Sequence, residues 1–168
     1  MSVFYSEVCR CIIASTSASG GSATNILFVC GGNTCRSPMA KVIFEQLHKR
    51  EISSGKIKVD SAAYDVPSDH AASLGATNAI RKLYGTDLLQ GHRPKKCTND
   101  LMEWADAIVV MTGRMKYGMP PAKTKTLREY AGQTGDIRDP FMQSDEVYLQ
   151  CATEIKNLLE IAYWSMSA

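Results

Sequence analysis

Long apolar runs are missing from this chain of 168 residues. A membrane-spanning helix needs roughly 18 consecutive apolar residues, and no stretch approaches that length, so no membrane partner is expected. A dominant charge is missing too. Lys and Arg total 19 against 17 Asp and Glu, a net +2, and no bulk field recommends DNA, RNA or an anionic lipid surface. Histidine is scarce, with three in all; His48, His70 and His92 show no partner pattern and read as surface or packing residues. Cysteine is not dense. The six lie unevenly at positions 9, 11, 30, 35, 97 and 151, which suits reduced thiols in a cytoplasmic protein better than the staples of a secreted one. The remaining composition, 45% hydrophobic and 21% charged, is that of an ordinary globular protein whose length suits one domain with a full core.

Residues 1–24 differ from the rest. "CIIASTSASGGSATN" is small, polar and Gly/Ser-rich, and reads as a flexible N-terminal extension. Its apolar core, Cys11 to Ala14, is shorter than the roughly 7 residues of a secretory signal. A single arginine, Arg10, argues against a transit peptide. From Asn25 onward short apolar runs alternate with helical patterns. "ILFVC" (26–30), "KIKVDSA" (56–62), "AIVVM" (107–111) and the weaker "KTKTL" (123–127) predict four strands. Ala40, Ile43, Phe44 and Leu47 mark one helix face. Ala72, Ala76, Ala79, Ile80 and Leu83 mark a second helix ending near Gly85. Cys151, Ile155, Leu158, Leu159 and Ala162 mark a long third. Continuous apolar strands alternating with helices predict an α/β fold in three layers, a four-stranded parallel sheet covered on both faces.

The chemistry concentrates in "NILFVCGGNTCRSPMA" (25–40). Cys30 closes the first strand, and in an open parallel sheet ligands gather at the carboxyl ends of strands. Gly31 and Gly32 let the backbone turn tightly with its amides inward. Ser37-Pro38 reads as a helix start, Ser as N-cap and Pro at the first helical position. Inward amides over a helix N-terminus make an anion site, and Arg36 adds a fork for two phosphate oxygens. In that setting Cys30 is a candidate nucleophile, because the helix dipole, the amides, Arg36 and the Ser37 hydroxyl all favour the thiolate. Three other readings compete. Cys30 can be inert core; Cys30 and Cys35 with Cys9 and Cys11 can form a zinc site, against which spacing and the lack of a nearby His argue; and a Walker loop fails because G-x4-G-K-[ST] is absent. Asn33, Ser37 and Pro38 around the two cysteines favour catalysis.

C-x-G-N-x-C-R-S-P after the first strand, with "DPF" (139–141) before the last helix, resembles the low-molecular-weight protein tyrosine phosphatase family over about residues 25–164. The resemblance implies a phosphatase domain over residues 25–168, phosphorylated protein substrates, a cysteinyl-phosphate intermediate, and no metal or cofactor. It also implies inhibition by phosphate, vanadate or similar oxyanions. Carried onto this sequence, Cys30 is the nucleophile, Arg36 binds the phosphoryl group, Asn33 braces the loop and Ser37 bonds the thiolate. Gly31, Gly32, Thr34 and Cys35 complete the substrate loop. Cys35 is the family's second loop cysteine, which implies redox sensitivity. Asp139 resembles the general acid, supplying the proton without which a leaving oxygen or nitrogen departs poorly. Pro140 stiffens its loop, and Asp136 is the rival acid. Cys97 and Cys151 read as structural thiols. "SAAYDV" (61–66) departs from the family's Ser-Ala-Gly, so Ala63 is expected to alter a turn beside the pocket, and Gly31 stands where bulkier residues are usual.

Thr34 bears on the substrate. Tyrosine phosphatases of the family usually carry Ile or Leu there, against a phenyl ring. The protein-arginine phosphatase branch is similar to this chain in G-N-T-C-R-S-P-M-A. A Thr hydroxyl suits a planar, polar guanidinium, and Phe141 offers a face on which it can stack. Phosphoarginine is therefore the expected substrate, with phosphotyrosine the alternative. An arsenate reductase needs a paired distal cysteine couple, which Cys97 and Cys151 do not provide. A non-catalytic phosphate-binding module has no need to keep Cys30, Arg36 and Asp139 together.

Overall fold

The computed structural model describes residues 23–65 and 70–162. All but the last two positions of the expected extension over residues 1–24 lie outside the described residues. Strand β1 spans Thr24–Cys30, and everything from Ile26 to Cys30 on it is buried. Successive strand residues point to opposite faces, so a strand buried without interruption is covered on both. β3 (Ala107–Val110) is buried throughout as well. β2 (Ile57–Ala63) and β4 (Thr124–Thr126) complete a four-stranded, all-parallel sheet in the order β2-β1-β3-β4. The expected α/β fold and parallel sheet are both present. β1 lies inside the sheet, with the chain passing first to β2 on one side and later to β3 on the other. That reversal opens a crevice beyond the carboxyl end of β1, at Cys30.

Helix α1 (Arg36–Leu47) follows directly and buries Met39, Ala40, Ile43 and Phe44. A short α2 (Lys49–Ser53) leads to β2. α3 (Leu74–Tyr84) is capped by the Ser73 side chain and ends at Gly85, whose φ of 76° is the left-handed conformation of a helix C-terminus. The expected helix thus loses Ala72, which precedes the cap. α4 (Asn99–Trp104), capped by Thr98, was not anticipated. β4 is shorter than "KTKTL" suggests, because Leu127 already opens α5 (Leu127–Tyr130). Thr126 and Glu129 form a capping box there, each side chain bonding the other's backbone N–H. α6 (Asp145–Ile161) packs along α1 and α3. The α3 contact is close: a β-carbon on Gly75 would stand 2.3 Å from the Tyr148 ring.

Two local expectations need correction. Ser37 is not the N-cap of α1. The helix begins at Arg36, Cys35 holds the cap position without a capping side chain, and Pro38 is the third helical residue. Ser37 is used elsewhere, as described below. Ala63 alters no turn: it is the last residue of β2, paired in register with Cys30 and bridged to Lys96.

Candidate active site

The loop from Gly31 to Cys35 hangs from the end of β1, and four carbonyls from Cys30 to Thr34 are pinned by three separate segments. Tyr64 N–H donates to Cys30 O at 2.8 Å, Asp65 N–H to Gly31 O at 3.0 Å and Ser73 N–H to Thr34 O at 2.9 Å. His92 Nε2 lies 2.8 Å from Asn33 O and donates to it. A peptide whose carbonyl is held outward presents its N–H to the other side. No backbone amide from Gly31 to Ser37 donates to any group among the described residues, which leaves these N–H groups free to bind an anion in the hollow that the loop bounds. Asn33 takes a left-handed φ of 55°, which an Asn tolerates better than most residues. Its side chain repeats the bracing: Nδ2 donates to Ser37 Oγ at 2.8 Å and Ser61 Oγ at 3.0 Å, and Oδ1 accepts from Lys95 N at 3.1 Å.

Cys30, at the base of the loop, is buried and 2% exposed. Ser37 Oγ stands 3.0 Å from Cys30 Sγ and 3.5 Å from Ala62 O. Because Asn33 Nδ2 already donates to Ser37 Oγ, the hydroxyl proton is free to point at the nearer sulfur. This arrangement sets the Ser37 hydroxyl against Cys30 Sγ. It explains why Ser37 does not cap the helix: its hydroxyl is committed to Cys30.

Arg36 is buried beneath the loop, 4% exposed. Its Nη1 donates to Ile137 O at 2.9 Å and its Nη2 to Asp139 Oδ2 at 2.7 Å, while Nε has no partner. Phe141 N–H donates to the other Asp139 oxygen at 3.1 Å. Asp139 is thereby held at the mouth of the hollow with its carboxylate about half exposed. Phe141 stands beside it with its ring largely in solvent. Asp136 faces elsewhere and accepts the Gly113 N–H at 2.7 Å. Cys151, on α6, sends its S–H toward Arg138 O at 3.8 Å. Burial pushes that thiol up to about 12, so it props the acid-bearing loop as a neutral donor. Cys97 is half-buried, and its thiol too is pushed up by burial.

Thr34 is half-buried, its Oγ1 3.5 Å from Cys35 Sγ. Cys35 is itself held by Ser73 Oγ at 3.3 Å and Tyr148 OH at 3.4 Å. Burial, then the bond to Cys35, pushes the Tyr148 phenol up to about 12, so it remains a neutral donor. The sequence reading gave no site role to Ser61, Ser73, His92, Lys95 or Tyr148, of which two matter most. His92, expected as a surface or packing residue, is a part-buried strut under Asn33; burial lowers its pKa from 6.5. Tyr148 ties α6 to the loop. His48, by contrast, packs on the Phe44 ring at 4.2 Å, and burial lowers its pKa likewise.

Among the described residues no three His, Cys, Asp or Glu side chains are grouped to hold a metal ion; Cys9 and Cys11 lie outside them. Nor is any described helix long and apolar enough to cross a membrane.

A loop of unpaired amides beside a buried thiol, a buried arginine and a carboxylate suits attack on a phosphoryl group. Similarity to known proteins agrees with that chemistry. Residues 25–164 match the family profile described as low molecular weight phosphotyrosine protein phosphatase. A protein-arginine-phosphatase of Bacillus subtilis is 34% identical over 142 residues, 80% of this chain and 91% of its own. The low molecular weight protein-tyrosine-phosphatase PtpB of Staphylococcus epidermidis is 34% identical over 143 residues, 80% of this chain and 94% of its own. A solved structure of YwlE arginine phosphatase, a mutant with a phosphorylated active-site serine, superposes with a TM-score of 0.73 at 34% identity, covering 82% of this chain and 91% of that one. The chain belongs to the low molecular weight phosphotyrosine protein phosphatase family, a cysteine-based group of phosphate-hydrolysing enzymes.

Proposed function

We propose that this enzyme dephosphorylates phosphoarginine in proteins, with Cys30 as nucleophile, Arg36 as phosphoryl clamp and Asp139 as general acid and base. The inward amides of residues 31–37 take the phosphoryl oxygens, joined by the unpartnered Nε of Arg36. A dianionic phosphoryl group competes with Asp139 for the Arg36 guanidinium and frees that carboxyl to carry a proton. The Cys30 thiolate then attacks phosphorus, the P–N bond breaks, and Asp139 delivers its proton to the departing nitrogen. In the second half-reaction water attacks the cysteinyl-phosphate, Asp139 takes the proton, and the S–P bond breaks to release phosphate. Asp139 is favoured over Asp136 as the acid because it stands against Arg36, whereas Asp136 is turned to the Gly113 backbone. In the relative with a phosphorylated active-site serine, the phosphoryl group is covalently held by a side chain, which supports a covalent route here.

Overall identity does not choose the substrate, because the arginine and tyrosine phosphatases quoted above are both 34% identical to this chain. Thr34 carries the choice. It sits in the loop beside Asn33 with its hydroxyl near the hollow, where an Ile would add apolar bulk favouring an aryl ring and crowding a hydrated guanidinium. Thr34→Ile should lower kcat/KM for phosphoarginine relative to phosphotyrosine by about 10–200-fold, the usual effect of such a pocket change. The measurement is the ratio of the two specificity constants in wild type and variant. A wild type that prefers phosphotyrosine, with a ratio indifferent to Thr34, overturns the phosphoarginine reading in favour of a phosphotyrosine phosphatase.

A further inference from the structure

A second carboxylate borders the hollow. Asp65 lies two residues beyond β2, and its N–H donates to Gly31 O at 3.0 Å, which fixes its backbone directly against the loop. The point where a β-carbon on Gly31 would stand is 3.6 Å from Asp65 Oδ2 and 4.0 Å from Arg36 Nη2. The missing side chain at position 31 thus leaves an opening with a carboxylate on one side and the phosphoryl-binding guanidinium on the other. Any larger residue at position 31 would partly fill it.

The Asp65 carboxylate makes no hydrogen bond or ion pair among the described residues, unlike Asp139 and Asp136. Two cations sit nearby on the turn that lines a cleft with Tyr64 and Tyr117. Lys116 is paired to Glu129 at 2.7 Å, and Arg114 forms no ion pair with Asp65. An exposed carboxylate with no partner among the described residues does little for their stability. Its position at the opening gives it a different use.

We propose that Asp65 is a specificity-determining residue that accepts N–H groups from the guanidinium of a phosphoarginine side chain as its phosphoryl group enters the cradle. This rests on the phosphoarginine reading above. The substrate carries a dianion and a delocalised cation joined by one P–N bond, so a matching site needs positive charge at the cradle and negative charge just outside it. Asp139 cannot hold the cation throughout, because it must carry a proton in the first half-reaction. Asp65 has no part in the proton transfers set out above. Against an aryl phosphate the same carboxylate loses water without gaining a donor, which disfavours that class.

Steady-state kinetics of wild type, Asp65→Asn and Asp65→Glu with a phosphoarginine peptide and with p-nitrophenyl phosphate test the assignment. Asp65→Asn should lower the ratio of kcat/KM for phosphoarginine over the aryl phosphate by about 3–20-fold, as expected for a partly screened, charge-assisted contact. The loss should fall on KM more than on kcat. Asp65→Glu should recover part of the ratio. A ratio unchanged in Asp65→Asn, or a loss shared equally by both substrates, overturns the proposal. The wild-type preference between phosphoarginine and phosphotyrosine peptides is read separately and bears on the substrate reading alone. A selective loss in Asp65→Asn supports the Asp65 contact whichever peptide the wild type prefers.

Discussion

Gly75→Ala tests whether the grip of α6 on the phosphate loop depends on one absent methyl group. In a helix this exchange ordinarily stabilises, by up to about 1 kcal/mol. Here the added β-carbon would stand 2.3, 2.4 and 2.7 Å from three carbons of the Tyr148 ring, where apolar carbons prefer about 3.5–4.0 Å. The ring cannot swing aside freely, because Tyr148 is 4% exposed and its hydroxyl is bonded to Cys35 Sγ. Overpacking of this kind costs about 1–3 kcal/mol or more, which outweighs the propensity gain. A net loss of about 1–2 kcal/mol lowers Tm by roughly 2–8 °C for a domain of this size. Thermal melts by circular dichroism provide the assay. Removing the ring should relieve the clash, so Gly75→Ala combined with Tyr148→Ala should be less destabilised than the two single losses added together. A Gly75→Ala protein that melts at or above wild type refutes the argument, and additive losses in the double variant locate the damage away from Tyr148.

Two further outcomes are expected. Asp139→Asn should slow turnover by about 10²–10⁴-fold, most with poor leaving groups and least with an activated aryl phosphate, while Asp136→Asn should not reproduce that pattern; the reverse result reassigns the acid. Burial lowers the pKa of both His92 and His48 below their unfolded value of 6.5, so below that pH the unfolded chain binds more protons and stability falls as pH drops. Urea midpoints between about pH 8 and pH 5 should show that decline, and His92→Gln, which keeps a donor but does not titrate, should make it shallower; an unchanged slope excludes His92 as a contributor.

The parts of the fold that could be read in advance are those whose signal is local and redundant. "ILFVC" and "AIVVM" are apolar at every position, which only a strand covered on both faces requires, and β1 and β3 are such strands. The α4 helix is too short to show a periodic stripe, although its Thr98 cap was present in the sequence. Ser37-Pro38 misled because two roles compete for one hydroxyl. The local rule assigns it to a helix cap, and the site assigns it to Cys30. The thiol and the guanidinium could be named as candidates from type and spacing, and the carboxyl of Asp139 from the family resemblance. Residues that act by bonding backbone could not. His92 grips the carbonyl of Asn33 from 59 positions away, and a carbonyl is the same on every residue, so nothing in the sequence marks it as a partner. Tyr148 reaches Cys35 across 113 positions, and only the glycine at 75 hints that a ring must pass close to α3. Asp65 belongs to the same group. It reads as an ordinary loop acid until β2 is laid beside β1 in register, and the pairing of Ala63 with Cys30 then carries its carboxylate to the opening beside Gly31. The thiol and the guanidinium of this site are therefore written in one loop and the carboxyl in another, while the groups that brace and border them come from segments that only the fold brings together.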